Sequence, residues 1–192
     1  MDNLNEKREH IEELVIKVQD GDHDAFSKLY DLFIDPIYRY VYYRVNEADV
    51  EDIVESVFIK VWQFMNKYKH KKNTWFSSWI FRVAHNLVVD HYRKSKNLEY
   101  DALNQDLVDD RREHSPIRNT ENALDNTVLK KAIATLSRTY QDVIVYKYVN
   151  DLTNEEVSQI MGKSEGSIRI LQFRALKALR EEFAKMGVKY IF

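Results

Sequence analysis

Residues 153–180 read TNEEVSQIMGKSEGSIRILQFRALKALR, and this stretch decides how the second half of the chain folds. Thr153 with Glu156 three places on is a capping box that opens a helix. Gly162 is placed to end it, because a left-handed residue closes a helix at least cost in glycine. Ser164 caps a second helix that runs on to Lys185. On that helix Ile168, Leu171, Ala175 and Leu179 share one side and face a core. Arg169, Ile170, Phe173, Arg174 and Lys177 occupy the other. Helix, short turn, helix is the helix-turn-helix pattern, whose second helix enters the DNA major groove. Ile170 and Phe173 stand among cations, where water serves them poorly and thymine methyls or sugar edges serve them well. Arg169, Arg174 and Lys177 reach phosphates or guanine edges. Ser164 and Ser167 sit at a helix N-terminus, whose amides suit a phosphate.

Working back along the chain, residues 75–94 read WFSSWIFRVAHNLVVDHYRK and carry a different surface. A helix starting at Ser77 or Ser78 buries Ile80, Val83, Ala84, Leu87, Val88 and His91. Its outer row is Arg82, His85, Asn86, Val89 and Arg93. Before it, Tyr68, Trp75, Phe76 and Trp79 alternate with Lys67, Lys69, Lys71 and Lys72. Aromatics stack on unpaired bases, at roughly 1–3 kcal/mol each, while lysines follow the backbone. Such a surface suits separated strands, and an extruded base fits the loop at 66–77.

A long helix from Glu47 to Tyr68 precedes that loop, its stripe being Val50, Ile53, Val54, Val57, Phe58, Val61, Phe64, Met65 and Tyr68. Asp49, Asp52, Glu55, Ser56, Ile59 and Trp62 lie off the stripe and form a candidate protein-docking patch. Upstream, Ile11, Leu14, Val15 and Val18 mark a first helix ended by Asp20-Gly21-Asp22. Asp24 is expected to cap a second helix with Ala25, Phe26, Leu29, Tyr30 and Phe33 on its apolar face. Pro36 suits the first turn of a third, carrying Ile37, Tyr40 and Val41. In the rear half Leu129, Ala132, Ile133 and Leu136 make one helix face, and Val143, Ile144, Lys147 and Tyr148 the next.

The expected fold is all-α: two small helical domains, residues 1–96 and 126–192, joined by a flexible linker at 97–125 with few large apolar residues. Charge divides the same way. Basic against acidic residues number 15 to 16 in the head, 3 to 8 in the linker and 11 to 7 in the tail, so the basic balance gathers where duplex binding is expected. The sequence holds no cysteine, which excludes disulfides and cysteine-held zinc. No apolar run could span a bilayer, and residues 1–10 have no signal-peptide core, so membrane insertion is not expected and the cytoplasm is the expected compartment. There is no Gly-rich phosphate loop, nucleophilic cysteine or acid pair. His85, Asp90 and His91 splay around their helix, unlike an i, i+4 ligand pair. Hence no catalytic residue, metal, cofactor or small-molecule substrate is expected. A stand-alone helix-turn-helix repressor would explain the tail but leave the basic aromatic loop and the docking helix unused.

Together these motifs resemble bacterial RNA polymerase sigma factors of the extracytoplasmic-function group, which keep only conserved regions two and four. Asp24-Ala25-Phe26 with Leu29-Tyr30 resembles the opening helix of region two, and Asp52 through Phe58 with Val61-Trp62 its core-polymerase-binding helix. Phe76 through Ile80, then Arg82-Val83-Ala84 with Asn86, Asp90 and Arg93, resembles its minus-ten segment. Leu152 through Glu156 with Ile160, and Gly166 through Arg169 with Arg174-Ala175 and Leu179, resemble the minus-thirty-five reader of region four. The resemblance implies docking on the clamp coiled coil of core RNA polymerase around Asp52, Glu55 and Phe58. It implies capture of a flipped minus-ten base by Asn86 and the loop before Trp79. It implies promoter reading upstream by Arg169, Ile170, Phe173 and Arg174, a linker threading toward the RNA exit path, and restraint by an anti-sigma factor. Glu55 departs from the family's usual Gln, and Ser137, Arg138 and Gln141 from its usual Pro-Pro and Arg. Leu171 and Gln172 exchange the usual polar and apolar order, which leaves the rotation of the recognition helix open by a single position.

Overall fold

The computed structural model describes residues 2–70, 74–102 and 122–188, with side chains described for 5–70, 74–94 and 126–188. Within these limits the chain folds into helices and tight turns: α1 (Asp2–Gln19), α2 (His23–Tyr42), α3 (Val50–Phe64), α4 (Phe76–Ala102), α5 (Asn122–Ala134), α6 (Arg138–Ile144), α7 (Asn154–Met161) and α8 (Glu165–Lys185). Helices α1–α4 pack mainly on one another, as do α5–α8, and their buried apolar side chains form one continuous cluster. The two halves touch where α7 meets α4 and where the turn after α6 meets α2.

Local chemistry explains most helix ends. Asp22 caps α2 by accepting the Ala25 amide at 3.0 Å. Asp24, expected as that cap, lies two residues further in, within the first turn, where its charge suits the helix dipole. Thr153 and Glu156 make the expected capping box of α7, and Gly162 closes it in the left-handed conformation at φ 63°. Lys163 completes that closure by donating its amide to the Ser158 carbonyl. Ser164 caps α8 through the Ser167 amide.

Four expectations need correction. Pro36 does not begin a third helix; α2 runs through it unbroken. An interior proline costs about 3 kcal/mol. Leu29, Phe33, Ile37, Tyr40 and Val41, all buried on either side of it, offset that cost by about 1.5–3 kcal/mol per fully enclosed side chain. Phe64 is exposed, because the chain tightens into a 3-10 turn at Met65–Lys67 that carries Met65 and Tyr68 into the core and swings Phe64 out. After α6 the chain forms a π-helical turn, Val145–Val149, closed by Asn150 N donating to the Val145 carbonyl at 3.1 Å. The wider turn rephases the face, so Tyr146 is buried and Tyr148 exposed. Finally, α4 continues to Ala102 and α5 begins at Asn122, so both intrude on the stretch read as linker. Residues 103–121 lie outside the described residues.

Helix α1 braces the loop that leads into α4. Its Glu12 carboxylate accepts the Phe76 amide at 2.7 Å and the Tyr68 hydroxyl at 3.0 Å. Its Gln19 donates to the Met65 and Tyr68 carbonyls at 2.9 and 2.8 Å. Burial, joined by the Glu12 charge, raises the Tyr68 phenol well above its ordinary value and keeps it a donor. Both ends of the loop, at Tyr68 and at Phe76, are thus set by hydrogen bonds with a helix that shares no motif with it.

Candidate nucleic-acid interface

The rotation of α8 is settled by what it buries. Ile168, Ala175 and Leu179 are enclosed, and Leu171 packs partly against them. Arg169, Ile170, Phe173, Arg174 and Lys177 therefore emerge on the open side, as the spacing implied. Ile170 and Phe173 are 55% and 72% exposed, an apolar area that helix packing alone would have turned inward. Arg169 is held by Glu165 at 3.4 Å, a solvent-exposed pair of small energy that phosphate could displace. Ser164 and Ser167 are exposed at the N-terminus, their hydroxyls 2.9 Å apart. One contact here escaped the sequence: Gln172 donates to the Tyr148 hydroxyl at 2.7 Å. Tyr148 reaches this face only because of the π-helical turn.

On α4 the expected row divides. Asn86 and Arg93 are exposed, and Val89 is partly so. Arg93 makes a loose surface pair with Asp90 at 3.8 Å. Arg82 donates to the backbone carbonyl of Gln159 in α7. His85 turns toward the rear half, its Nδ1 lying 3.2 Å from the Tyr40 hydroxyl, 3.4 Å from that of Tyr146 and 3.6 Å from the Asp142 carboxylate. Phe76 must be withdrawn as a stacking surface. It is fully enclosed between Phe33, Tyr68 and Trp79, where edge and tilted ring contacts hold it in the core. Trp79 is half-buried against the same rings. Trp75 is half-buried, with the His70 ring and the Arg8 guanidinium against it. Lys71 lies outside the described residues.

The docking patch on α3 proves to be one wall of an apolar groove. Glu55, Phe58, Ile59 and Trp62 line it from α3, and Phe26, Tyr30, Ile34 and Tyr38 from α2. Ile59 and Trp62 are exposed, while Phe58 is buried at the floor against Tyr30. The Trp62 ring is held by His23 and Phe26. Asp52 is exposed beside the groove and Ser56 is half-buried. Asp49 is elsewhere, paired with His91 of α4 at 3.4 Å. The second wall had a readable signal, since Phe26, Tyr30, Ile34 and Tyr38 recur every four residues along one edge of α2.

Comparison with known proteins places both halves of the chain. Residues 29–97 match the family model of Sigma-70 region 2, and residues 127–179 that of Sigma-70 region 4. The chain is 31% identical over 184 residues to the ECF RNA polymerase sigma factor SigW of Bacillus subtilis, covering 90% of this chain and 96% of that one. The chain belongs to the extracytoplasmic-function sigma factors. It is 33% identical over 169 residues to another, BldN of Streptomyces coelicolor, of whose length it spans 63%. The structure of the sigma factor RpoE in complex with the anti-sigma factor NepR, from Bartonella quintana, shares the fold with a TM-score of 0.68 at 19% identity, over 83% of this chain and 96% of that one. In this sigma factor region two thus spans most of α2 through the greater part of α4, and region four spans α5 to most of α8. Helix α1 precedes the region-two match. Among the described residues no helix is long and apolar enough to cross a membrane.

Proposed function

We propose that this sigma factor loads onto core RNA polymerase through the groove between α2 and α3 and then engages a promoter at two separate places. In this reading Asp52, Glu55, Ser56, Phe58, Ile59 and Trp62 serve polymerase docking. Phe58 acts as the floor against which a partner helix packs, and the acids meet basic side chains at the rim. Asn86, with Trp75, Trp79, Arg82, His85, Val89, Arg93 and the Lys71 loop, receives the opened minus-ten strand. Arg169, Ile170, Phe173, Arg174 and Lys177 read the minus-thirty-five duplex, with Ser164 and Ser167 at a phosphate. The linker at 97–125, trimmed by the ends of α4 and α5, lets the two halves span the promoter. The protein works by binding and not by catalysis, without cofactor or small-molecule substrate, in the cytoplasm where polymerase and DNA meet. An anti-sigma factor holds it in reserve.

The observation that carries this reading is the pair Ile170 and Phe173, exposed on a cationic helix face whose opposite side buries Ile168, Ala175 and Leu179. Burying two such side chains against thymine methyls and sugars recovers about 1.5–3 kcal/mol each, which solvent never supplies. The test is transcription in vitro with purified core polymerase and a promoter library. The chain is expected to select a discrete set of start sites. A chain that binds duplex tightly by itself and selects no start site with core polymerase would be a repressor instead.

A further inference from the structure

Helix α1 has no surface assigned to docking or to DNA, yet its polar side chains converge on one place. Arg8, Glu12 and Gln19 fall at i, i+4 and i+11, which puts them on one face of the helix. That face meets the end of α3 and the start of α4. Gln19 donates to the Met65 and Tyr68 carbonyls, and Arg8 lies over the Trp75 ring at 5.0 Å. Glu12 lies between them along the helix. All three precede the region-two match, which begins at residue 29.

The Glu12 side chain is only 13% exposed. A carboxylate so covered needs donors to offset its lost hydration. It has three, from three points of the chain. Phe76 donates its amide at 2.7 Å, Tyr68 its hydroxyl at 3.0 Å from each carboxylate oxygen, and His70 Nδ1 lies 3.4 Å away. Phe76 is the first residue of α4, so its N–H has no acceptor within the helix. An anion there also meets the positive end of the helix dipole. The start of α4 thus receives its acceptor from a residue 64 positions earlier in the chain.

The anchored residues are those on which the aromatic cluster is built. Tyr68 and Phe76 each pack on Trp79, with ring centres 5.3 and 5.4 Å away, and meet each other edge-on. His70 rests against Trp75 at 5.3 Å. Trp79 donates its amide to the Trp75 carbonyl at 3.2 Å, so the two half-buried indoles stand one turn apart at the head of α4. Asn86, seven residues beyond Trp79, shares its side of the helix and is exposed. Aromatic pairs are favourable over centroid separations of about 4.5–7 Å, so ring packing alone lets such a cluster slide. Hydrogen bonds to a carboxylate are short and directional. Apolar packing holds the cluster together, and Glu12 sets where it stands relative to α4.

We infer that Glu12 is a positioning residue for promoter opening, which fixes the start of α4 and the Tyr68–Trp79 ring pair so that an unpaired minus-ten base meets Trp75, Trp79 and Asn86 in register. The inference rests on the proposed role of α4 and extends the opening machinery to a helix outside the region-two match. Glu12 touches no base; it acts through Tyr68 and Phe76. Stacking needs close and aligned rings, and a displacement of about 1 Å forfeits much of it. Docking and duplex reading are assigned to the α2–α3 groove and to α8, to which none of these contacts leads.

The experiment uses the full chain with core RNA polymerase on a promoter it selects, carrying 2-aminopurine in the non-template strand of the minus-ten element. Fluorescence of that base reports opening, a footprint over the minus-thirty-five element reports the closed complex, and circular dichroism reports folding. Glu12→Ala is expected to slow opening by about tenfold or more while closed-complex affinity stays within about twofold. Glu12→Gln keeps an oxygen for the Phe76 amide and is expected to open within about threefold of the parent. Tyr68→Phe keeps the ring, removes only the donor and is expected to slow opening about threefold. A Glu12→Ala chain that opens as fast as the parent, or that loses the closed complex in equal measure, overturns the positioning role. So does a Glu12→Gln chain that opens as slowly as the alanine chain. If the alanine chain does not fold, Tyr68→Phe decides: parental opening overturns the role, and slowed opening with an intact closed complex upholds it. A parent chain that opens no promoter strikes the proposed function and this role with it, whereas a parent that opens and is matched by its Glu12 variants strikes this role alone.

Discussion

Helices α8 and α4 both carry cations beside apolar side chains, yet the two faces stand in opposite conditions. On α8 the cations and apolar side chains are open: Phe173 projects into solvent, and Arg169 is held only by a surface carboxylate on its own helix. On α4 the aromatic that looked equivalent, Phe76, is wholly enclosed, and Arg82 and His85 are engaged by the other half of the chain. In the proposed reading a duplex reader keeps its face presented at all times, because intact DNA always offers its groove. On the α4 row, by contrast, Asn86 and Arg93 stay exposed while His85 turns toward Tyr146 and Asp142 of the other half.

The comparison breaks most visibly at the two phenylalanines. Phe76→Ala should cost about 3–5 kcal/mol of stability in urea denaturation, as a large buried ring leaves a cavity; a loss under 1 kcal/mol would return it to the surface. Phe173→Ala should leave that denaturation curve within about 0.5 kcal/mol of the parent, since nothing packs on it. Arg174→Ala should weaken upstream-element binding by about 1–3 kcal/mol with stability intact, seen as a lost footprint over the minus-thirty-five element alone. Asn86→Ala should raise the barrier to strand opening by about 1–2 kcal/mol while closed-complex formation holds, as permanganate reactivity against gel shift would report. Equal damage to both steps would remove Asn86 from the strand-binding face. The smallest effect belongs to Glu165→Gln. The pair with Arg169 is solvated, so folding stability should move by under about 0.5 kcal/mol, and duplex affinity should rise slightly as one acid leaves the interface.

Legibility in sequence followed the range of the forces involved. Caps and turns act over three or four residues, and Thr153, Glu156, Gly162 and Ser164 read correctly. The α8 face was legible as well, because one helix packed on one side leaves its other side determined by period alone. Pro36 misled because propensity is a local argument, and tertiary burial around Ile37 and Tyr40 overrode it. Phe76 misled because an aromatic next to lysines looks the same whether its ring faces water or Phe33. The second wall of the groove was visible as a four-residue repeat on α2, though nothing local said what it would face. Contacts of Arg8, Arg44 and Asp142 join residues more than ninety positions apart and had no signature in the chain.

The wide turn at Val145–Val149 has one more consequence. It sends neighbouring tyrosines in opposite directions, Tyr146 into the stack with Tyr40 and Tyr148 out to Gln172 on α8. A single turn of backbone therefore links the packing between the two halves to the seating of α8. Deleting one residue there would turn both wheels together, loosening the stack on Tyr40 in the same stroke that frees Gln172.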